Sequence, residues 1–391
     1  GVSALAAVGS TGSINFMIIG FCTGACSGFA IPVAQKFGAG DYMGMRKFVA
    51  NAGWLSAVFA TVMATIVGFL CMDILQWMNT PEDIIQGAYD YIFIIFLGIP
   101  VTYLYNMLAG IIRSLGDSKT PVYFLLLSSL MNIALDFFTI LVLGMGVSGP
   151  ALATVISQGV SGLACLVFMV KRFPILHMTA EERRLDGRTC RTLCLMGIPM
   201  GLQYSITAIG SIVLQSAVNG LGSRYVASVA AGTKLFQVIC CPFDAMGATM
   251  ATYCGQNVGA IKLDRLGQGL RACSLLGLGY ALLSFASIFF FAPQMALLFL
   301  NPGEEALIGY TAQYITTLGA FFFPLALVNI LRFSIQGMGF SNLAILAGVM
   351  EMFARMGVAT LLVPAIGYTG ACFASPAAWI CADLFLIPAS C

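Results

Sequence analysis

Asp136 is the residue at which chemistry is expected. It is the only charged side chain in the apolar run from Val122 to Leu143, a run long enough to cross a bilayer as one helix. Inserting a carboxylate there is costly, so an acid kept in such a run reads as functional. Asn132 lies four residues earlier on the same helix face and brings an amide oxygen beside the acid. Together they suit a proton or a small hard cation. The plainer alternative is an acid that only bridges helices by hydrogen bonds.

Further charged residues lie inside apolar stretches. Glu351 and Arg355 stand four apart, which reads as a helix-face ion pair; the sharper reading gives Glu351 a role in binding cationic drugs. Lys234 and Asp244 are ten residues apart, almost three turns, so they do not pair within one helix. Lys234 is expected to reach Glu351 instead and balance its charge. Asp383 is expected to face the cytoplasmic vestibule. The single histidine, His177, sits in a polar connector and reads as a solvated residue. The 13 cysteines show no metal-ligand spacing and read as small apolar residues. No resident metal or cofactor is implied.

These residues must be held by membrane helices. Hydrophobic residues make up 59% of the chain and charged residues 9%, with mean hydropathy +0.94. A soluble domain carries about 25% charged residues, so the chain reads as an all-α polytopic membrane protein. A net charge of +2 without a basic, aromatic-interleaved run argues against nucleic acid. Eleven segments are long and apolar enough to span, near 4–34, 48–72, 89–112, 122–143, 150–170, 197–219, 225–255, 270–292, 307–331, 343–363 and 370–390. Pro32 and Pro100 are candidate bending points. Basic residues fall on alternate connectors, among them Arg46, Arg113, the 171–191 stretch, Lys262 and Arg332, which places those connectors in the cytoplasm.

An internal repeat organises the segments. Gln35, Gly38 and Ala39 match Gln256, Gly259 and Ala260 at an offset of 221. The same offset relates Gly1, Ala6 and Val8 to Gly222, Ala227 and Val229, and Gly146, Gly149 and Ala153 to Gly367, Gly370 and Ala374. The halves share one orientation, a parallel repeat of two pseudo-symmetric six-helix bundles. The counterpart of 197–219 falls before Gly1, so 11 of 12 transmembrane helices are expected in this chain. Residues 1–172 are expected to form the N-terminal bundle (helices 2–6), 173–195 a cytoplasmic linker, and 196–391 the C-terminal bundle (helices 7–12).

Several stretches carry a family likeness: Ala-Leu-Ala-Ala-Val-Gly at 4–9, Ala-Gln-Lys-Phe-Gly-Ala-Gly-Asp at 34–41, and Arg-Ser-Leu-Gly-Asp-Ser-Lys-Thr-Pro at 113–121. To these are added Asn-Ile-Ala-Leu-Asp at 132–136, Gly-Gln-Asn-Val-Gly-Ala at 255–260 and Gln-Gly-Met-Gly at 336–339. In this order they resemble the multidrug and toxic compound extrusion (MATE) family, nearest its prokaryotic exporter branch. The resemblance implies an antiporter in the bacterial inner membrane, a monomer that exports organic cations or amphipathic drugs in exchange for Na⁺ or H⁺. The family pattern puts the coupling site on an Asp and Asn of the fifth helix and a Thr of the sixth, which Asp136, Asn132 and Thr154 match, with a further Asp from the first helix, whose place is expected to fall before Gly1. Another branch carries acids in the seventh and tenth helices. Thr207 and Leu325 stand near those places here.

Residue positions alone also support the site, because Thr154, about five residues into the next helix, lies at a depth similar to Asp136. The same oxygens serve Na⁺ or H⁺, and the sequence leaves the choice open. Two other functions compete with export. A lipid-linked oligosaccharide flippase of the same superfamily would need cavity cations for a pyrophosphate, for which Lys234, Arg355 and Arg332 are the candidates. A membrane-embedded transferase would need a cluster of acids or histidines, and none is visible.

Overall fold

The computed structural model describes residues 7, 8, 10–78 and 80–390, with the backbone alone for Ser390. Gly1 and Ala6 of the repeat, and Ala4 to Ala6 and Gly9 of the 4–9 motif, lie outside the described residues. Those that are described form helices joined by short turns, without a strand. The chain divides into two compact units, Gly1–Ser205 and Ile206–Cys391.

The first unit holds α1 (Gly12–Gly38), α2 (Tyr42–Phe69), the short α3 (Cys71–Trp77), α4 (Ile85–Leu97), α5 (Ile99–Ser114), α6 (Lys119–Phe137) and α7 (Ser148–Arg172). It also holds the beginning of α8 (Gly187–Asn219). Its core is filled by Phe96, Tyr103, Ile92, Leu75 and Cys22, all nearly inaccessible. Glycines bring α1 against the start of α8. A Cβ on Gly28 would stand 2.5 Å from the Cα of Gly197, and one on Gly24 would meet the backbone of Met200 and Gly201. Small residues four apart on both helices let the backbones approach closely, and dispersion then holds them.

The second unit holds the rest of α8 and α9 (Ser223–Gly259), α10 (Asp264–Ala296), α11 (Glu305–Ala320) and α12 (Phe322–Gly337). α13 (Ser341–Gly357), α14 (Val363–Ile366), α15 (Tyr368–Cys372) and α16 (Ala374–Ser390) complete it. Phe243 and Phe322 meet edge to face at its centre, with ring centroids 5.7 Å apart. Eight helices of the described residues are long and apolar enough to cross a membrane, or ten if each of two bent pairs counts as one span.

Two of the expected spans are bent, one of them at Pro100, a bending point expected from the sequence. The 89–112 segment bends by 45° between α4 and α5, and the 307–331 segment by 52° between α11 and α12. In each case a proline follows the break by two or three residues, Pro100 after Gly98 and Pro324 after Phe321. Proline removes the N–H that would bond the carbonyl four residues back. Pro32, by contrast, sits inside an unbroken α1. The second break recurs some 220 residues after the first. The same interval separates two π turns, Phe138–Val142 after α6 and Val358–Leu362 after α13. The repeat in sequence is therefore a repeat of backbone irregularities as well.

The polar stretch after α7 is tied to α2. Glu182 accepts from Arg46 Nε at 3.0 Å and Nη2 at 2.7 Å, and from the Thr179 N–H at 2.8 Å. The Arg46 guanidinium, then the Thr179 amide, hold the Glu182 carboxyl down at about 2. Asn51, fully buried, accepts the Asp186 N–H at 2.9 Å and donates to the Arg184 carbonyl at 3.3 Å. Trp54 Nε1 donates to the Arg183 carbonyl at 3.0 Å. Asp186 then accepts the Thr189 N–H at 2.9 Å, satisfying a donor in the first turn of α8.

Candidate functional site

α6 and α7 are neighbours joined by a tight turn in which Gly144 and Gly146 both take φ of 62°, a conformation glycine adopts without a Cβ penalty. This turn folds α7 back along α6 and sets Thr154 opposite Asn132. The Asn132 Nδ2 donates to Thr154 Oγ1 at 3.3 Å, and the Thr154 hydroxyl donates to the Pro150 carbonyl at 2.9 Å. Asp136 follows one turn along α6. Its Oδ1 is buried and has no hydrogen-bond partner among the described residues. An unmade hydrogen bond at a buried carboxylate is costly. Two residues later the helix widens into the first π turn, where Thr139 Oγ1 donates to the Asp136 carbonyl at 3.3 Å. Single π turns recur at functional sites because they re-aim side chains without ending the helix. The structure thus joins Asn132 to Thr154 across α6 and α7, and places Asp136 one turn from Asn132 on α6 with its Oδ1 unpartnered among the described residues.

The second unit contains a different polar set. Glu351 of α13 is buried and paired to Arg355 one turn on at 3.5 Å. Arg332 of α12, 6% exposed, also closes on Glu351. The expected Lys234–Glu351 contact is not formed. Lys234 is exposed on α9, with its ammonium 5.9 Å from the Phe299 ring centroid. Arg332 takes its place because the turn of α12 that carries it points into the core of the unit. The sequence places Arg332 in a connector, whereas in the structure it lies within α12. Its position within Asn-Ile-Leu-Arg-Phe, apolar on both sides, was the available signal for burial. Asp383 of α16, expected to face a vestibule, is 7% exposed, and its Oδ1 has no hydrogen-bond partner among the described residues.

One further pair was missed. Asn329 of α12 donates Nδ2 to Asp244 Oδ1 of α9 at 3.2 Å. No regular spacing relates these two positions, so only the packing of α9 on α12 reveals the contact. Among the described residues no group of three His, Cys, Asp or Glu side chains stands ready for a metal ion.

Comparison with known proteins follows the same lines. The MatE family profile matches residues 1–138 and 199–361. The chain is 31% identical over 325 residues to "Probable multidrug resistance protein YoeA" of Bacillus subtilis (strain 168), covering 81% of this chain and 70% of that protein. It is 29% identical over 335 residues to "Probable multidrug resistance protein YpnP" of the same strain, covering 84% of this chain and 73% of that one. Among solved structures it matches an outward-facing multidrug resistance MATE family transporter of the MOP superfamily with a TM-score of 0.94. That match has 22% identity and covers 100% of this chain and 88% of the other, a likeness of fold.

Proposed function

The chain belongs to the MatE family and is a multi-pass protein of the bacterial inner membrane, and from that premise we propose that it exports amphipathic organic cations in exchange for Na⁺ or H⁺. The observation that carries this reading is the unpartnered Asp136 oxygen beside the Asn132–Thr154 hydrogen bond. A carboxylate, an amide oxygen and a hydroxyl at one depth of a helix pair are the oxygen donors a hard cation prefers. The carboxylate alone can also carry a proton. An ion bound at Asp136 drives transport by binding the two access states with different affinity, the substrate doing the reverse. The printed names of the Bacillus relatives support a drug as the cargo.

Flippase activity has less support. Two of the three cations it would draw on, Arg332 and Arg355, are engaged with the buried Glu351, and only Lys234 is left exposed.

The test is ethidium efflux from cells making the protein, wild type beside Asp136→Asn, with Na⁺ and pH gradients imposed separately. The reading expects wild-type efflux under one gradient, which names the ion, and its loss in the variant. Equal gradient-driven efflux by both would sink the assignment of coupling to Asp136.

A further inference from the structure

α9 crosses the second unit with two unlike faces. Its buried side is set by Leu235, Cys240, Phe243, Gly247 and Met250. Phe243 is the anchor, inaccessible and packed edge to face on Tyr280 at 5.0 Å and Phe322 at 5.7 Å. With that side fixed, Lys234, Gln237, Cys241 and Asp244 fall on the opposite side at spacings of three and four, and all four are exposed. Val238 on this side is exposed as well, but a lysine, an amide and a carboxylate in one line do not suit hydrocarbon. Each charge facing lipid would cost a few kcal/mol. Asp244 lies about 22 Å or more from either end of α9 at 1.5 Å per residue, and its side chain is too short to reach far along the helix. A charged stripe of this kind suits water better than lipid.

Asp244 also lacks a counter-charge. Among the described residues it accepts the Asn329 hydrogen bond and forms no ion pair, whereas the other mid-span acid of the unit that has cationic partners, Glu351, is closed off by two arginines. Lys234, roughly 15 Å along the helix, likewise has no acid partner and rests on Phe299. The repeat counterparts in α1, Ser13, Phe16, Gly20 and Thr23, carry no charge. The feature belongs to the second unit alone.

We propose that Asp244, positioned by Asn329, is a subsite for the cationic centre of the transported amphipath, on a water-lined face of α9. The Lys234 end of the same face repels that centre, so a monovalent cation is held at the Asp244 end with its apolar body directed away. This inference rests on the exporter reading and deepens it.

Asp244→Asn tests it, because the amide keeps an oxygen for Asn329 while removing the charge. The purified full chain in lipid nanodiscs, without any gradient, is titrated with ethidium and with an uncharged dye of similar size. Cys241, the exposed cysteine of the stripe, is treated with a membrane-impermeant thiol reagent and read by mass spectrometry. The proposal expects about tenfold weaker ethidium binding in Asp244→Asn with the neutral dye unaffected. It also expects Cys241 to be labelled in the wild type and protected by ethidium. Unchanged ethidium affinity, or an equal loss for the neutral dye, overturns the subsite and leaves the exporter reading standing. Reaction of Cys241 only with a lipid-soluble maleimide overturns the aqueous face. Binding is read without ion coupling, so Asp136→Asn should retain it. A wild type that binds no ethidium overturns both readings.

Discussion

Asn132 spends its amide N–H on Thr154, 3.3 Å away across α6 and α7, and so turns its carbonyl oxygen away from that hydroxyl while Asp136 Oδ1 stays unpartnered one turn along. The pair orients the site, and the acid supplies the charge. Thr154→Ala should therefore weaken ion binding without abolishing coupling. The concentration of the driving ion needed for half-maximal ethidium efflux is expected to rise by about tenfold, the order of one lost hydrogen bond to a charged site. Thr154→Ser, which keeps the hydroxyl, should restore the wild-type value. A Thr154→Ser variant as impaired as Thr154→Ala would mean that methyl packing, not the hydroxyl, matters there.

The Arg332–Glu351–Arg355 cluster is predicted to be structural. All three side chains are under 10% exposed. Removing one partner of a buried ion pair leaves an uncompensated charge, typically at a cost of about 3–5 kcal/mol. Glu351→Gln strands two arginines and should lower the thermal midpoint of the detergent-solubilised protein markedly. Arg355→Met leaves the Arg332 contact in place and should cost less. Removal of Lys234 should leave the midpoint unchanged, because Lys234 is exposed and takes no part in the cluster. The ranking is the test. A Lys234 variant as unstable as Glu351→Gln would contradict it.

The parts of the site that were legible in the sequence are those in which neighbours on one helix do the work. The spacing of Asn132 and Asp136 within an apolar run fixes their common face, and the length to the next span fixes the depth of Thr154. Arg332 was not legible as a partner of Glu351, since which turn of α12 points inward depends on the break at Phe321. Asp244 and Asn329 were hidden for the same reason, lying on helices brought together only by packing. The prolines make the point locally. Pro32 and Pro100 look alike in sequence, but Ile31 and Val33 are buried on both sides of Pro32, whereas Gly98 precedes Pro100 and leaves out a side chain that would collide with Val155. Neighbours in space, not the proline alone, select the bend.

Close packing of α1 on the start of α8 should tolerate no added methyl group. Gly28→Ala places a Cβ 2.5 Å from the Gly197 Cα, where backbone rather than a flexible side chain must yield. Overpacking of this kind costs about 1–3 kcal/mol. Gly53→Ala is the matched control within α2, with nothing within 4 Å of the new Cβ. It should be neutral or stabilising by roughly 0.5–1 kcal/mol from helix propensity. Thermal unfolding of both variants distinguishes a general intolerance of substitution from a specific steric limit. Equal midpoints would show that α1 can shift away from α8.

Docking of the 179–186 stretch on α2 should depend on pH only in the acid range. Glu182 in the docked state is held at about 2 by Arg46, against an ordinary value of 4.5. The docked carboxyl therefore binds fewer protons than the undocked one between those limits, and protons favour release. Docking is fully supported above about 4.5 and is lost as the pH falls toward about 2. Trp54, bonded to the Arg183 carbonyl, reports the contact. The emission that disappears in Trp54→Phe should stay constant from neutral pH down to about 4.5 and change below it. In Arg46→Gln the carboxyl loses its main stabilising partner. The acid transition should then shrink, and the docked fraction at neutral pH should already be reduced. A Trp54 signal that moves near neutral pH in the wild type, or an acid transition unaltered by Arg46→Gln, would show that Glu182 does not control the docking.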